Sequence, residues 1–305
     1  MPATAKTPYD VMIIGGGYAG IAAALQLARA HCRLLIFDAG RPRDRFSTAS
    51  HDFIGLDERP TAASAAEAKA RLLRYPNVDW LAAFATYAYV GEDGLFEALD
   101  VNTNRYKARR IVLASGLVDA LPKIPGLAER WGKTVSLSPY YTAYALDKAP
   151  LGVLAFGEGV FEEALLLADW GPVTLFTDAK IVLRSEQTHA LTARGVLIEQ
   201  ERVVGLQGNG ANVQLADGRT VPLAMLFMAP PSRLGSPIAR QLGCDISPGG
   251  AGEYVLTDAS QQTSVRGVFA CGDIARVSYA VSLAVGDGTA AGIAVRRSLK
   301  LTNLG

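Results

Sequence analysis

The chain has 305 residues, half of them hydrophobic and 19% charged, with a formal net charge of +1. That length suits about two domains at roughly 150 residues each, and the near-neutral charge excludes the basic footprint of a nucleic-acid or anionic-membrane binder. Gly or Asp interrupts every apolar run well short of the roughly 20 residues that a bilayer span needs. Met1 to Asp10 carries no apolar run, so a cytoplasmic protein is expected. Cys32, Cys244 and Cys271 are odd in number and far apart, which fits neither a disulfide framework nor a metal cluster.

In chain order, Val11-Met12-Ile13-Ile14 is a continuous apolar run, the pattern of a strand buried on both faces. It enters Gly15-Gly16-Gly17-Tyr18-Ala19-Gly20, and Ile21 to Ala30 follows as an Ala- and Leu-rich helix. Gly15-x-Gly17-x-x-Gly20 between strand and helix is the dinucleotide fingerprint in its required context. Gly15 allows the tight turn, Gly17 lets a pyrophosphate reach the backbone, and Gly20 lets helix and strand pack closely. The helix N-terminus offers N–H groups and partial positive charge to phosphates. A second strand, Arg33 to Phe37, ends at Asp38 and Ala39. A carboxylate at Asp38 can accept hydrogen bonds from an adenosine ribose.

Glu92-Asp93-Gly94 reads as a hairpin turn, and Arg110 to Ala114 as a strand ending before Ser115-Gly116. The plan then repeats. Leu151 to Phe156 is an apolar strand, Phe161 to Trp170 a helix, and Val173 to Phe176 a strand that closes at Asp178. Laying Gly15 on Ala155 places Gly17 on Gly157, Gly20 on Val160 and Asp38 on Asp178. Further hairpin signals are Gly208-Asn209-Gly210 and Asp217-Gly218, ahead of an apolar strand over Leu223 to Met228. Near the end, Thr263 to Asp273 contains Gly267-Val268-Phe269-Ala270-Cys271-Gly272-Asp273.

Together these segments resemble the low-molecular-weight thioredoxin-reductase family, and within it the branch of bacterial and fungal dithiol oxidases. The marks are Gly15 to Gly20, Ala114-Ser115-Gly116 leading to Leu121-Pro122-Lys123-Ile124-Pro125-Gly126, Gly267 to Asp273, and Gly286-Asp287-Gly288. The resemblance implies an α/β protein with two Rossmann-type dinucleotide-binding domains, the second inserted into the first. The FAD domain would comprise 1–118 and 247–305, and an NAD(P)-binding-like domain 119–246. It further implies FAD as cofactor, with Asp273 on the ribityl chain. The loop Arg41-Pro42-Arg43-Asp44 and Ser50-His51 looks like the branch's FAD-contacting loop, which adds Arg43 and His51 to the candidates. The FAD set is then Gly15, Gly17, Tyr18, Ala19, Gly20, Asp38, Ala39, Arg43, His51, Ser115, Gly116, Gly272 and Asp273. Such relatives are homodimers, so a homodimer is expected.

The departures shape the functional expectation. Where the family carries Cys-x-x-Cys, this chain has Ser138-Pro139-Tyr140-Tyr141, with Ser138 and Tyr141 at the two sulfur positions. Neither can form a disulfide, so dithiol exchange by the family route is excluded. No catalytic residue is assigned; Tyr141 would face the flavin, and the role of Tyr140 stays open. On the nicotinamide side, Ala155 and Val160 put side chains into a turn that needs glycine, leaving Gly157 and Asp178 as a degraded second site. The family's His-Arg-Arg becomes Thr177-Asp178-Ala179, and its Arg-Gln pair before the last helix becomes Tyr279-Ala280. NADPH is therefore disfavoured and NADH tolerated. Two classes of function stay open: a redox flavoenzyme with an unidentified electron donor and acceptor, and a non-catalytic flavin-binding sensor or scaffold. Neither nucleic acid nor membrane is expected as a partner.

Overall fold

The structure is a computed structural model in which residues 7–47, 49–50, 53, 59–141, 143–156, 159–249 and 252–301 are described. Two compact units arise: Met1–Arg43, Ala62–Val118 and Arg233–Gly305 form one, Asp44–Thr61 and Asp119–Ser232 the other. The second is inserted in the first.

In the first unit, strand β1 (Tyr9–Ile14) pairs in parallel with β2 (Leu34–Phe37), Val11 opposite Leu34 and Ile14 opposite Phe37. Alternate residues of both strands enter different cores. Met12, Ile14, Leu35 and Phe37 belong to one cluster, and Val11, Ile13, Leu34 and Ile36 to the other. This two-faced burial is why β1 reads as an unbroken apolar run rather than an alternating one. The helix α1 (Tyr18–Arg29) covers one face and packs against the C-terminal helix Val281–Leu301. Only small residues permit that approach: a Cβ on Gly288 would lie 2.1 Å from the Ala19 carbonyl oxygen.

On its other edge β1 pairs with the strand Arg105–Leu113. That strand is shared. Its first half pairs antiparallel with Phe96–Asp100, and its second half runs parallel to Val268–Ala270. The closing segment near Asp273 is thereby returned to the sheet that begins at β1. The chain rejoins this unit at Arg233, earlier than the 247 read from the sequence. The reason is packing: Leu234, Ile238, Ala239 and Cys244 share the core cluster of Met12 and Ile14. In addition, the Ala88 N–H donates to Gln241 Oε1 at 3.1 Å.

The second unit has a five-stranded parallel sheet in the order Val135–Ser136, Met225–Phe227, Leu151–Leu154, Val173–Phe176, Leu197–Glu199. Helices Val160–Leu167 and Ser185–Ala193 accompany it. An antiparallel excursion, Val203–Gln207, Asn212–Leu215 and Thr220–Val221, turns at Gly208 and Gly218, both with positive φ. No described helix is long and apolar enough to cross a membrane.

Candidate functional site

The turn from β1 to α1 is built on its missing side chains. Gly15 has φ +119°, and a Cβ there would lie 2.2 Å from the Ala114 carbonyl oxygen. On Gly20 it would lie 1.9 Å from the Gly15 oxygen. Gly17 differs, since nothing stands within 4 Å of its absent Cβ. It is also the N-cap of α1 and offers no side chain to the first-turn N–H groups, which an anion can therefore receive. Tyr18, Ala19 and Gly20 form that first turn.

Asp38 lies at the end of β2, and its Cγ is 2.7 Å from where a Cβ on Gly16 would stand. Its Oδ1 accepts the Gly40 N–H at 3.0 Å, which shapes the loop that carries Ala39. The indole of Trp80 also meets Gly16, with Cη2 and Cζ2 each 2.6 Å from that Cβ position. Trp80 pairs with Ile36 in the neighbouring strand, and its buried Nε1 has no hydrogen-bond partner. Nothing local in the sequence marks it; only the strand pairing brings it to the glycine turn.

Ser115 and Gly116 follow the strand beside β1, Gly116 with φ +60°. The Ser115 hydroxyl is buried without a hydrogen-bond partner, an orphan that a bound group can satisfy. Gly272, at φ +76°, brings its backbone against α1, for a Cβ there would lie 2.7 Å from Ala19 Cβ. Next to it Asp273 Oδ2 receives Arg43 Nη1 at 2.9 Å, with side chains only 21% and 16% exposed. The Arg43 guanidinium also sits 4.2 Å from the Tyr279 ring centre. The sequence candidates of the first unit thus converge through direct contacts: Gly15 with Ala114 and Ser115, Gly16 with Asp38, Gly272 with Ala19, Arg43 with Asp273. His51 lies outside the described residues. A further pair that the sequence reading missed, Arg276 with the buried Asp287, ties the approach of the C-terminal helix to the helix itself.

In the second unit the positions that match Gly15 and Gly20 carry side chains. Ala155 and Val160 are buried at 5% and 7% exposure, and the Ala155 N–H donates to the Phe176 carbonyl. Gly157 lies outside the described residues. Asp178 is not turned outward: it has φ +52° and is 5% exposed. Its Oδ1 accepts the Val203 N–H at 2.7 Å and its Oδ2 pairs with Lys180. Two left-handed residues in succession, Asp178 and Ala179, swing the carboxylate inward. Both carboxylate oxygens of Asp178 thereby serve the fold.

Ser138 is half-buried and its carbonyl accepts the Ser136 hydroxyl at 3.3 Å. Pro139–Tyr141 forms one helical turn in which Tyr140 is exposed and meets Trp170 edge-on; the Tyr141 side chain lies outside the description. All three cysteines are buried and free. Desolvation pushes each thiol up, Cys271 most, so none has thiolate character. Among the described residues no group of three His, Cys, Asp or Glu side chains could hold a metal.

Residues 9–288 match the family described as pyridine nucleotide-disulphide oxidoreductase. The chain belongs to that family. A thioredoxin reductase of Claviceps purpurea (strain 20.1), tcpT, is 32% identical over 93% of this chain and 92% of its own. Among solved structures, an oxidoreductase from Agrobacterium tumefaciens is 43% identical, with a TM-score of 0.93 over 97% of this chain and 99% of its own. The structure of HlmI is 32% identical, with a TM-score of 0.91 over 99% and 96%. This oxidoreductase is accordingly thioredoxin-reductase-like in fold over nearly its whole length.

Proposed function

We propose that this oxidoreductase binds one FAD in its first unit and exchanges electrons with a partner other than a dithiol of its own chain. The observation that carries the reading is the glycine turn, closed at Gly15 and Gly20 yet open at Gly17, with carboxylates at Asp38 and Asp273. The open position and the uncapped helix end suit a pyrophosphate. Asp38 suits the adenosine ribose, Asp273 the ribityl hydroxyls, and the orphan Ser115 hydroxyl a polar atom of the same molecule. When bound, FAD supplies hydride and single-electron chemistry that no side chain offers. The protein's own part is to hold and orient it and to keep thiols away. Cys32, Cys244 and Cys271 are buried and lack Cys-x-x-Cys spacing. A homodimer in the cytoplasm, with NADH in preference to NADPH as one electron source, completes the reading.

A second reading, a flavin-binding protein without turnover, draws on the buried side chains of Ala155 and Val160 and the inward Asp178. One experiment separates the two. The purified protein is scanned for flavin absorbance, then mixed anaerobically with NADH, NADPH and chemical donors, and finally exposed to air or quinones. Flavin that is bleached and reoxidised over many cycles supports the enzyme; bound flavin inert to every donor and acceptor supports the second reading. No turnover with thioredoxin or small aromatic disulfides is expected. A rate within about tenfold of an ordinary thioredoxin reductase, or about 1.4 kcal/mol in barrier, sinks the non-dithiol assignment.

A further inference from the structure

Three residues from separate stretches of the first unit meet beside the candidate cofactor cradle. Arg43 ends the loop that leaves β2, Asp273 lies in the turn after Val268–Ala270, and Tyr279 lies just ahead of the C-terminal helix. The guanidinium is held on two sides, by the carboxylate at 2.9 Å and by the ring at 4.2 Å. Neither partner of the ion pair is more than 21% exposed, so it is screened less than a surface pair. Arginine suits this place for a physical reason. Its planar, weakly hydrated cation stacks on an aromatic face while its edge donates to a carboxylate, whereas a lysine ammonium is a strongly hydrated point charge.

We propose that Tyr279 is a positioning residue of the cofactor site, acting through Arg43 to fix the Asp273 carboxylate and to place a positive charge beside it. The proposal rests on the assignment of FAD to this unit. A carboxylate can accept about four hydrogen bonds, so the hold of Arg43 on Oδ2 is compatible with Asp273 also accepting a hydroxyl. Without Arg43, Asp273 loses a cation that offsets its charge beside a ligand that already carries two phosphate charges. Adding electrons to that ligand makes its charge more negative, so loss of the cation penalises the reduced form more than the oxidised one. Tyr279 helps to keep the cation in place, since the stack restrains a long side chain that is costly to order.

The test uses the flavin-loaded protein and the variants Arg43→Met, Tyr279→Ala, Tyr279→Leu and Tyr279→Phe, with the two double variants of Arg43→Met with Tyr279→Ala or Tyr279→Leu. FAD dissociation constants, the flavin midpoint potential and the melting temperature of each flavin-free protein are measured. Tyr279→Phe keeps the ring and should stay within about twofold of the parent. Arg43→Met and Tyr279→Ala should each weaken FAD binding about tenfold. If reduced FAD loses about tenfold more than oxidised FAD, the two-electron potential falls by about 30 mV. In the Arg43→Met background, Tyr279→Ala should add less than about twofold, because the stack has already lost its cation. Tyr279→Leu keeps much of the bulk and serves the same comparison if the Ala variant does not fold. Additive losses, or a potential unmoved while only the melting temperature drops, would overturn the role of Tyr279. A parent protein that takes up no FAD at all would instead overturn the cofactor assignment on which it rests, and the absence of flavin absorbance would show which has failed.

Discussion

The two Rossmann-type units each carry a corresponding strand and helix, and the residues that flank the join differ. In the first, the absent side chains of Gly15 and Gly20 are replaced by backbone carbonyls 2.2 and 1.9 Å from the Cβ positions, and only Gly17 opens onto unfilled space. In the second, Ala155 and Val160 are buried and the acid after the second strand points into the fold. A dinucleotide turn needs one glycine for the ligand and two for the protein. In the second unit the latter two positions hold the buried side chains of Ala155 and Val160. Matching positions in a duplicated sequence can thus share a fold and differ in what surrounds them.

The largest effect expected is at Gly20. With Gly20→Val the first carbon alone would meet the Gly15 carbonyl oxygen, backbone that no rotamer change can move. The cost should exceed the roughly 1–3 kcal/mol of ordinary overpacking and leave insoluble or unfolded protein. The counterpart Val160→Ala should melt cooperatively, less stable by about 1.6 kcal/mol for two buried carbons at about 0.8 kcal/mol each. Similar thermal melts for the two variants would show that the two positions are packed alike.

Gly17→Val should behave differently again. The added side chain enters space empty of protein, so the melting temperature of the flavin-free chain should stay within a few degrees of the parent. FAD, by contrast, should no longer copurify, because the branched carbon occupies the pyrophosphate path. Yellow Gly17→Val protein with one FAD per chain would place the cofactor elsewhere.

Asp178→Ala tests the inward carboxylate. It strands the buried Val203 N–H, which should cost about 1–3 kcal/mol in denaturant unfolding. The ratio of flavin bleaching rates with NADH and NADPH, measured anaerobically by stopped flow, should move less than about threefold, half a power of ten or about 0.7 kcal/mol. A large gain for NADPH with no loss of stability would mean that the side chain faces a nucleotide after all.

The smallest effect is at Glu163, whose buried Oε1 has no hydrogen-bond partner and whose pKa is raised by desolvation. A carboxyl with a raised folded-state pKa costs nothing while both states are protonated, below about pH 4.3. Stability is then lost as pH rises through the folded-state value. Glu163→Gln should therefore melt slightly higher than the parent at pH 7, with the difference closing below about pH 4. An equal difference at both pH values would show that ionisation is not its cause.

How much of this could be read beforehand follows the range of the contacts. The run from β1 through α1 to β2 is legible because a doubly buried strand, a glycine turn and the following acid are all local signals. Trp80 against Gly16 and Arg43 between Asp273 and Tyr279 depend on strand order and on segments far apart in sequence. The orientation of Asp178 depends on two successive left-handed residues, neither of them glycine, which no propensity rule announces. The early return at Arg233 was hidden for a related reason. A four-residue helix, Ile238–Gln241, carries too little periodicity to show which core it joins.

The seam of small residues between α1 and the C-terminal helix also bears on how the protein is made. Ala19 and Ala23 emerge from the ribosome near the start of synthesis, whereas Gly288 and Gly292, which pack on them, are added near its end. At roughly 5–20 residues per second, tens of seconds pass before α1 receives its partner. Throughout that interval the glycine turn has a helix with one apolar side uncovered, and by its end every residue of the inserted unit has left the peptidyl-transfer centre. The inserted unit can complete its own sheet first, and the seam beside the glycine turn closes last. A chain that stalls or is cut before Val281 is thus expected to yield a folded inserted unit beside an open, chaperone-dependent first unit that cannot retain flavin.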